Sequence, residues 1–233
     1  MTSPVPRLTR RQEIRSGLLD TIPLLLAVAP FGFVVGVAAV GAGISTSLAI
    51  ASSGLIFAGA AQIAAMTLLG AGAAWPTIIG TTLVINARHI MYSATLVQPL
   101  GHLSRGWRWF LSYLMVDQLF ALTVTRSNDG DDHPQLQWYS AAIGVTLWVV
   151  WMSATTAGAV IGASVPASWG LTFAAPLIFI GLTFPALVDR ATYAAAAASG
   201  FTAIAAATLP FNLGLLIAAV VGITVGVVVD RPT

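Results

Sequence analysis

The feature that most limits what this chain can become is a succession of long apolar runs separated by breaks of a few residues. They cover residues 18–40, 48–69, 76–97, 107–125, 138–161, 171–188, 191–209 and 211–229. A helix that crosses a bilayer needs about 20 apolar residues, because hydrocarbon offers the backbone no hydrogen-bond partner and the helix must satisfy itself. The runs are continuous and lack the alternation of barrel strands. Charged residues make up only 8% of the chain, against roughly 25% in a soluble domain. Such a chain cannot cover a water-facing surface. The expected fold is therefore all-α: a polytopic helical membrane protein with 7–8 apolar segments, some of them broken. A basic cytoplasmic tail, 1–16, precedes a single transmembrane domain, 17–233.

These properties exclude a cytosolic enzyme and a nucleic-acid reader. There is no Cys, hence no disulfide framework and no thiolate metal site. Every basic residue is Arg, so a phosphate-binding loop with its Lys is missing and ATP hydrolysis finds no support. Neither H-E-x-x-H nor G-x-S-x-G occurs. No enzyme activity, metal or cofactor is expected; the chief partner is the lipid bilayer.

Loop charge sets an orientation test. Arg7, Arg10, Arg11 and Arg15 precede the first apolar run, and Arg105, Arg108 and His102 lie within the break at 99–108. The positive-inside rule puts both on the cytoplasmic side, and the acidic stretch with Asp129, Asp131 and Asp132 on the other. Three intervening spans would instead separate the two basic stretches. The conflict disappears if one span is broken or re-entrant, and 54–72 and the Asn86–His89 cluster are the best places for that. The pentapeptide at 55–59 also matches that at 177–181 in four of five positions. Two inverted halves, about 17–125 and 138–230, would fit a common plan of secondary transporters.

Polar groups inside apolar runs carry the functional reading, because an ionisable side chain at bilayer depth is costly. Arg88 lies ten residues or more into its run and needs water, protein or a carboxylate; Asp117 and Asp20 are the candidates. As a site residue it could hold a substrate carboxylate bidentately; as a packing residue it would be half of a buried ion pair. Asp117 is a counter-ion, an ammonium site or a proton site. His89 could relay protons, and Asp20 either does so or pairs with Arg11 or Arg15. Pro23 and Pro30, with Gly32, interrupt the first helix, and its freed ends could bind a charged group beside Phe31. Gly59 and Gln62 belong to a small-residue stretch that either lines a site or binds helices together. Asn86 and Tyr92 flank Arg88. Trp75, Trp107, Trp109, Trp138 and Trp169 sit at run ends and fit an aromatic belt.

Taken together these motifs resemble the AzlC-type (azaleucine-resistance) branched-chain amino acid permease family. The resemblance rests on Arg15-Ser16-Gly17, Asp20, Pro23, Pro30-Phe31-Gly32 and Gly36, then Gly43-Ile44-Ser45. It continues with Phe57-Ala58-Gly59-Ala60-Ala61-Gln62, Asn86-Ala87-Arg88-His89 with Tyr92, and Asp117-Gln118 followed by Phe120-Ala121-Leu122. It covers roughly residues 15–125; an acid would be expected at Gln118. The resemblance implies a bacterial inner-membrane, multi-pass exporter of valine, leucine, isoleucine and analogues, with a cytoplasmic N-terminus. It also implies a heteromer with a small AzlD-type four-span membrane protein, and coupling to the proton-motive force. Substrate would meet Pro30, Phe31, Gly32, Gly59, Gln62, Asn86, Arg88, Tyr92 and Asp117; protons would meet Asp117, His89 and Asp20. The competing readings are a non-transporting scaffold subunit and a channel. A scaffold pairs its buried polar groups internally; a transporter keeps a cavity among Gln62, Asn86, Arg88 and Asp117.

Overall fold

The computed structural model of the protein describes residues 8–129, 133–164, 187–209 and 213–230. In chain order its helices are α1 (Arg10–Gly41), α2 (Thr46–Leu55), α3 (Gly59–Gly70), α4 (Trp75–Asn86), α5 (Arg88–Leu100), α6 (Arg105–Tyr113), α7 (Asp117–Ser127), α8 (Leu136–Gly162), α9 (Arg190–Ala205) and α10 (Leu213–Val229). Among the described residues, α1 and α8 are the two long and apolar enough to cross a membrane by length and composition.

These two helices form the frame. Gly17 lies against Tyr139, Gly32 against Trp151 and Ala154, Gly36 against Thr155 and Ala159, and Val37 against Gly162. The contacts ascend together, so α1 and α8 run parallel. A Cβ on Gly36 would collide with the Thr155 carbonyl, and one on Gly158 with the Phe33 carbonyl. The backbones touch directly, as small residues spaced four apart allow. Pro23 and Pro30 lie inside α1 on exposed positions, and the helix continues through both. The expected interruption there is thus not found. The opposite face, with Val28, Gly32 and Val35, is buried, and the packing of Gly32 on α8 backs the helix where the prolines remove bonds.

The breaks come instead in the next three apolar runs. α2 leaves the C-terminal end of α1, the chain turns at 56–58, and α3 returns to that end, where Gly70 packs on Ala42. Met66 of α3 joins Ala39, Ile44 and Ala49 in one cluster. This run is a re-entrant hairpin, not a crossing. α4 and α5 abut at Ala87 and together run from that end to the other. α6 then enters beside Trp138, with the Trp107 and Trp138 rings 4.7 Å apart. It reaches the level of Gly144 and Trp148, where Leu114 and Tyr113 lie. The chain turns at 114–116, and α7 comes back along α8 through Thr123 to Ser140 (3.0 Å) and Arg126 over Tyr139. This second run is also re-entrant, from the opposite end.

The hairpins reconcile the charge test. α1 goes one way and α4–α5 returns, so the first basic stretch and the 99–108 loop share an end. Asp129 does not fall on the other side as expected: it meets His133, whose Nδ1 lies 2.6 Å from Glu13 Oε1 of α1, while Asp131 and Asp132 lie outside the described residues. A hairpin that turns back delivers its loop to the side it came from. The remaining pair, α9 and α10, is antiparallel, with Gly214 on Ala206 and Gly222 on Ser199, and Leu216 reaches Gly80 of α4. The second copy of the proposed repeat, 177–181, lies outside the described residues, as does Trp169.

The chain has no native Cys, so single cysteines report topology directly. Cysteines at the exposed positions Ser47 and Ala71 are expected to react with a membrane-impermeant maleimide from one side. Those at Ser104 and Asn128 should react from the other. Labelling of Ser47→Cys and Ala71→Cys from opposite sides would show a crossing where the hairpin is described.

Candidate functional site

The three breaks meet at one place. Residues Phe57 to Ala60 of the first hairpin, Arg88 and His89 at the start of α5, and Val116 to Gln118 of the second hairpin line a cavity of about 370 Å³. Ala27, Val28 and Phe31 of α1 and Leu147 and Trp151 of α8 complete the wall. Both groups lie near the middle of their helices. Irregular backbone at such a depth is tolerated where it is covered by protein or lines a cavity.

Arg88 Nη1 donates to Asp117 Oδ2 at 2.7 Å, and the Tyr92 hydroxyl donates to Asp117 Oδ1 at 2.7 Å. The Arg88 and Asp117 side chains remain 35% and 46% exposed, so the pair faces open space rather than being sealed. Tyr92 stacks on Phe120 at 4.2 Å, which fixes α5 beside α7. His89 has a carbonyl at each ring nitrogen: Asn86 O at 2.9 Å from Nδ1 and Met115 O at 3.1 Å from Nε2. A neutral imidazole donates to one of these; the imidazolium donates to both. The ring thereby bridges the α4–α5 break and the tip of the second hairpin.

The sequence-derived residues divide into three groups. Phe31, Gly59, Arg88, His89 and Asp117 line the cavity. Tyr92 supports it from behind through Asp117. The rest do not line it. Gln62 is buried, and its Nε2 donates to Ser52 Oγ (3.1 Å) and Ser53 Oγ (2.6 Å), joining the arms of the first hairpin. Asn86 supplies its carbonyl to His89 and keeps a buried Oδ1 without a partner. Pro30 is exposed, and Gly32 serves α1–α8 packing. Asp20 accepts from the Tyr139 hydroxyl at 2.8 Å and not from Arg11 or Arg15.

Two features escaped the sequence reading. The first is the aromatic wall: Trp151 lies 5.6 Å from Phe31 and 6.4 Å from Phe57, ring to ring. Trp148 and Trp151 sit inside a run, away from any belt position, and that was the available signal. The second is Glu13, fully buried and bonded by His133 and by Arg126 Nη2 at 3.3 Å. Glu13, Gly17 and Thr21 recur every four residues, which places Glu13 on the packed face of α1.

His133 also meets Asp129 at 2.8 Å. Burial, the largest single influence, pulls the His133 pKa down; its bonds to Glu13 and Asp129 and their charges together outweigh it, and the pKa lies above the usual 6.5. A raised folded pKa means that the stabilisation is complete below the unfolded value and is lost as pH rises through the folded one. Melting of the purified protein between about pH 6 and pH 9 should therefore show falling stability with rising pH. His133→Gln should flatten that slope. An identical slope in both proteins contradicts the role of this contact.

Known proteins agree with a membrane setting. The chain is 28% identical over 226 residues to a membrane protein of Archaeoglobus fulgidus described as uncharacterized, covering 92% of this chain and 94% of that one. It is 24% identical over 189 residues to the inner membrane protein YgaZ of Escherichia coli, covering 80% and 75%. A Helicobacter pylori membrane protein, also described as uncharacterized, is 32% identical over 105 residues, 44% of each chain. No solved structure matches. The family model for the AzlC protein matches residues 23–165, a stretch that holds most of α1, all of α8, both hairpins and every residue of the cavity wall, and the chain belongs to this family of membrane proteins.

Proposed function

We propose that the protein is a secondary-type transporter that exports branched-chain amino acids across the bacterial inner membrane. In this reading it is the large subunit of an exporter completed by a small AzlD-type four-span membrane protein, with its N-terminus in the cytoplasm. The observation that carries the reading is a mid-helix cavity in which an unsealed Arg88–Asp117 pair faces an aromatic and aliphatic wall. A branched-chain amino acid is a zwitterion with an apolar side chain. Asp117 can take its ammonium group, and Phe31, Phe57, Leu147 and Trp151 can take its side chain. A scaffold subunit has no use for a cavity that leaves its charged pair open.

Proton coupling is assigned to Asp117 and His89, which border the same space. Protonation of Asp117 weakens its hold on both Arg88 and an ammonium group, and so links proton uptake to release.

The test is efflux of labelled valine, leucine and isoleucine from cells with the chain, alone and with the small subunit. Arg88→Ala and Asp117→Asn each leave a charge without its partner in the cavity. Each should slow efflux at least about tenfold. Unchanged efflux in both variants removes the assignment.

A further inference from the structure

α6 enters the molecule at the end where α1 and α8 begin, and its two faces differ in kind. Trp107 and Leu111 turn inward: Leu111 is buried in the main apolar cluster, and the Trp107 ring packs on Trp138. The outer face carries Arg105, Arg108, Trp109 and Ser112, the i, i+3, i+4 and i+7 positions of one helical stripe. All four are exposed, and they line an open pocket of about 380 Å³. A Cβ added at Gly106, beside them, would meet nothing within 4 Å.

The charges on this face are unanswered. Among the described residues neither Arg105 nor Arg108 makes an ion pair, and the Ser112 hydroxyl makes no hydrogen bond. The carboxylates at the start of α1 and the end of α7 are already engaged: Glu13 and Asp129 are each held by Arg126 and His133. Two guanidinium groups three residues apart on one helix repel each other. The first turn of α6 holds no acid to offset them, so these arginines do not stabilise the helix that carries them. An anion seated between them removes the repulsion. A third guanidinium adds to the positive field, as Arg10 lies 3.4 Å over the Trp138 ring. The flank of the pocket is apolar instead: Trp109 is 68% exposed and Phe110 42%. Clustered arginines beside exposed aromatic rings, where a helix enters the bilayer, match a ligand with an anionic head and an apolar body.

We propose that Arg105, Arg108 and Ser112 bind the phosphate of an anionic phospholipid, whose acyl chains run past Trp109. Guanidinium forks donate paired N–H bonds to phosphate oxygens, and the serine hydroxyl can donate one more. A zwitterionic lipid brings its own cation next to the arginines, so the site selects a headgroup with net negative charge. α6 is the entering arm of the second hairpin, and the tip of that hairpin places Val116 and Asp117 in the cavity. A lipid bound on α6 therefore braces the hairpin from outside. The assignment does not depend on what the cavity transports.

The experiment adds phosphatidylglycerol or phosphatidylcholine to the delipidated whole chain in neutral detergent and counts bound lipid by native mass spectrometry. The wild type should bind phosphatidylglycerol at least about tenfold more tightly. Arg105→Gln with Arg108→Gln should remove about tenfold of that preference. Arg11→Gln with Arg15→Gln takes the same charge from exposed positions of α1, and should leave the preference within about twofold. Phosphatidylcholine binding and the melting temperature should stay unchanged in both. Arg108→Lys keeps the charge without the fork and should cost about threefold; it gives the answer if the double variant does not fold. Equal loss in the two double variants, or loss in neither, overturns the site, because the preference then comes from overall charge. Displacement of phosphatidylglycerol by equimolar inorganic phosphate makes the pocket a free-anion site and overturns the lipid. A wild type that does not distinguish the two lipids leaves the arginines to an acidic protein segment and overturns the proposal as well.

Discussion

A helix broken inside hydrocarbon leaves backbone N–H and C=O groups that no water can reach. That constraint organises the whole molecule. The chain breaks at 56–58, at Ala87 and at 114–116, and all three breaks are gathered against the middle of two unbroken helices. The frame can be this narrow because Gly36 and Gly158 bring α1 and α8 into backbone contact. Gln62 then pins one hairpin with Ser52 and Ser53, and Thr123 and Ser140 tie the other to α8. The hairpin arms touch through the Tyr113 hydroxyl, which donates to the Gly54 carbonyl.

The chemistry follows from the same constraint. Bringing broken helices together aims several helix N-termini at one space, so the cavity is rich in donors before any side chain is counted. The sequence adds one cation and one anion, Arg88 and Asp117, and surrounds them with Phe31, Phe57, Leu147 and Trp151. Such a space suits a small zwitterion with an apolar body. Far from it, at the end where α1 begins and α7 finishes, Glu13, Arg126 and His133 close a second buried polar cluster. That cluster anchors the second hairpin to α1 through Arg126 at the end of α7 and through His133 just before α8.

Much of this could be read before any coordinates. The scarcity of charge left Arg88 and Asp117 as deep opposite charges, and they pair. The conflict between the positive-inside rule and the count of segments pointed to 54–72 and to Asn86–His89, and the chain breaks at both. The third break was hidden, because Leu114, Met115 and Val116 are as apolar as any helix interior and carry no Gly or Pro. Pro30 misled for the converse reason: a proline signals a lost hydrogen bond, but not whether the neighbouring helix makes up for it. Glu13 was obscured by its setting among four arginines, where an acid reads as a headgroup-level residue. The side on which a hairpin's loop emerges cannot be obtained from hydropathy, since a span and a re-entrant pair of half-length helices have the same composition.

The central claim is that the cavity where the hairpins meet holds the amino acid. Ala27 lines that cavity from α1 and is not part of the charged pair. The rate at which a small maleimide reacts with Ala27→Cys, measured with and without valine, tests occupancy directly. Saturating valine should slow the reaction several-fold while leaving Ser104→Cys, at the end of the molecule, unaffected. An equal rate at Ala27→Cys with and without valine would contradict binding at this site.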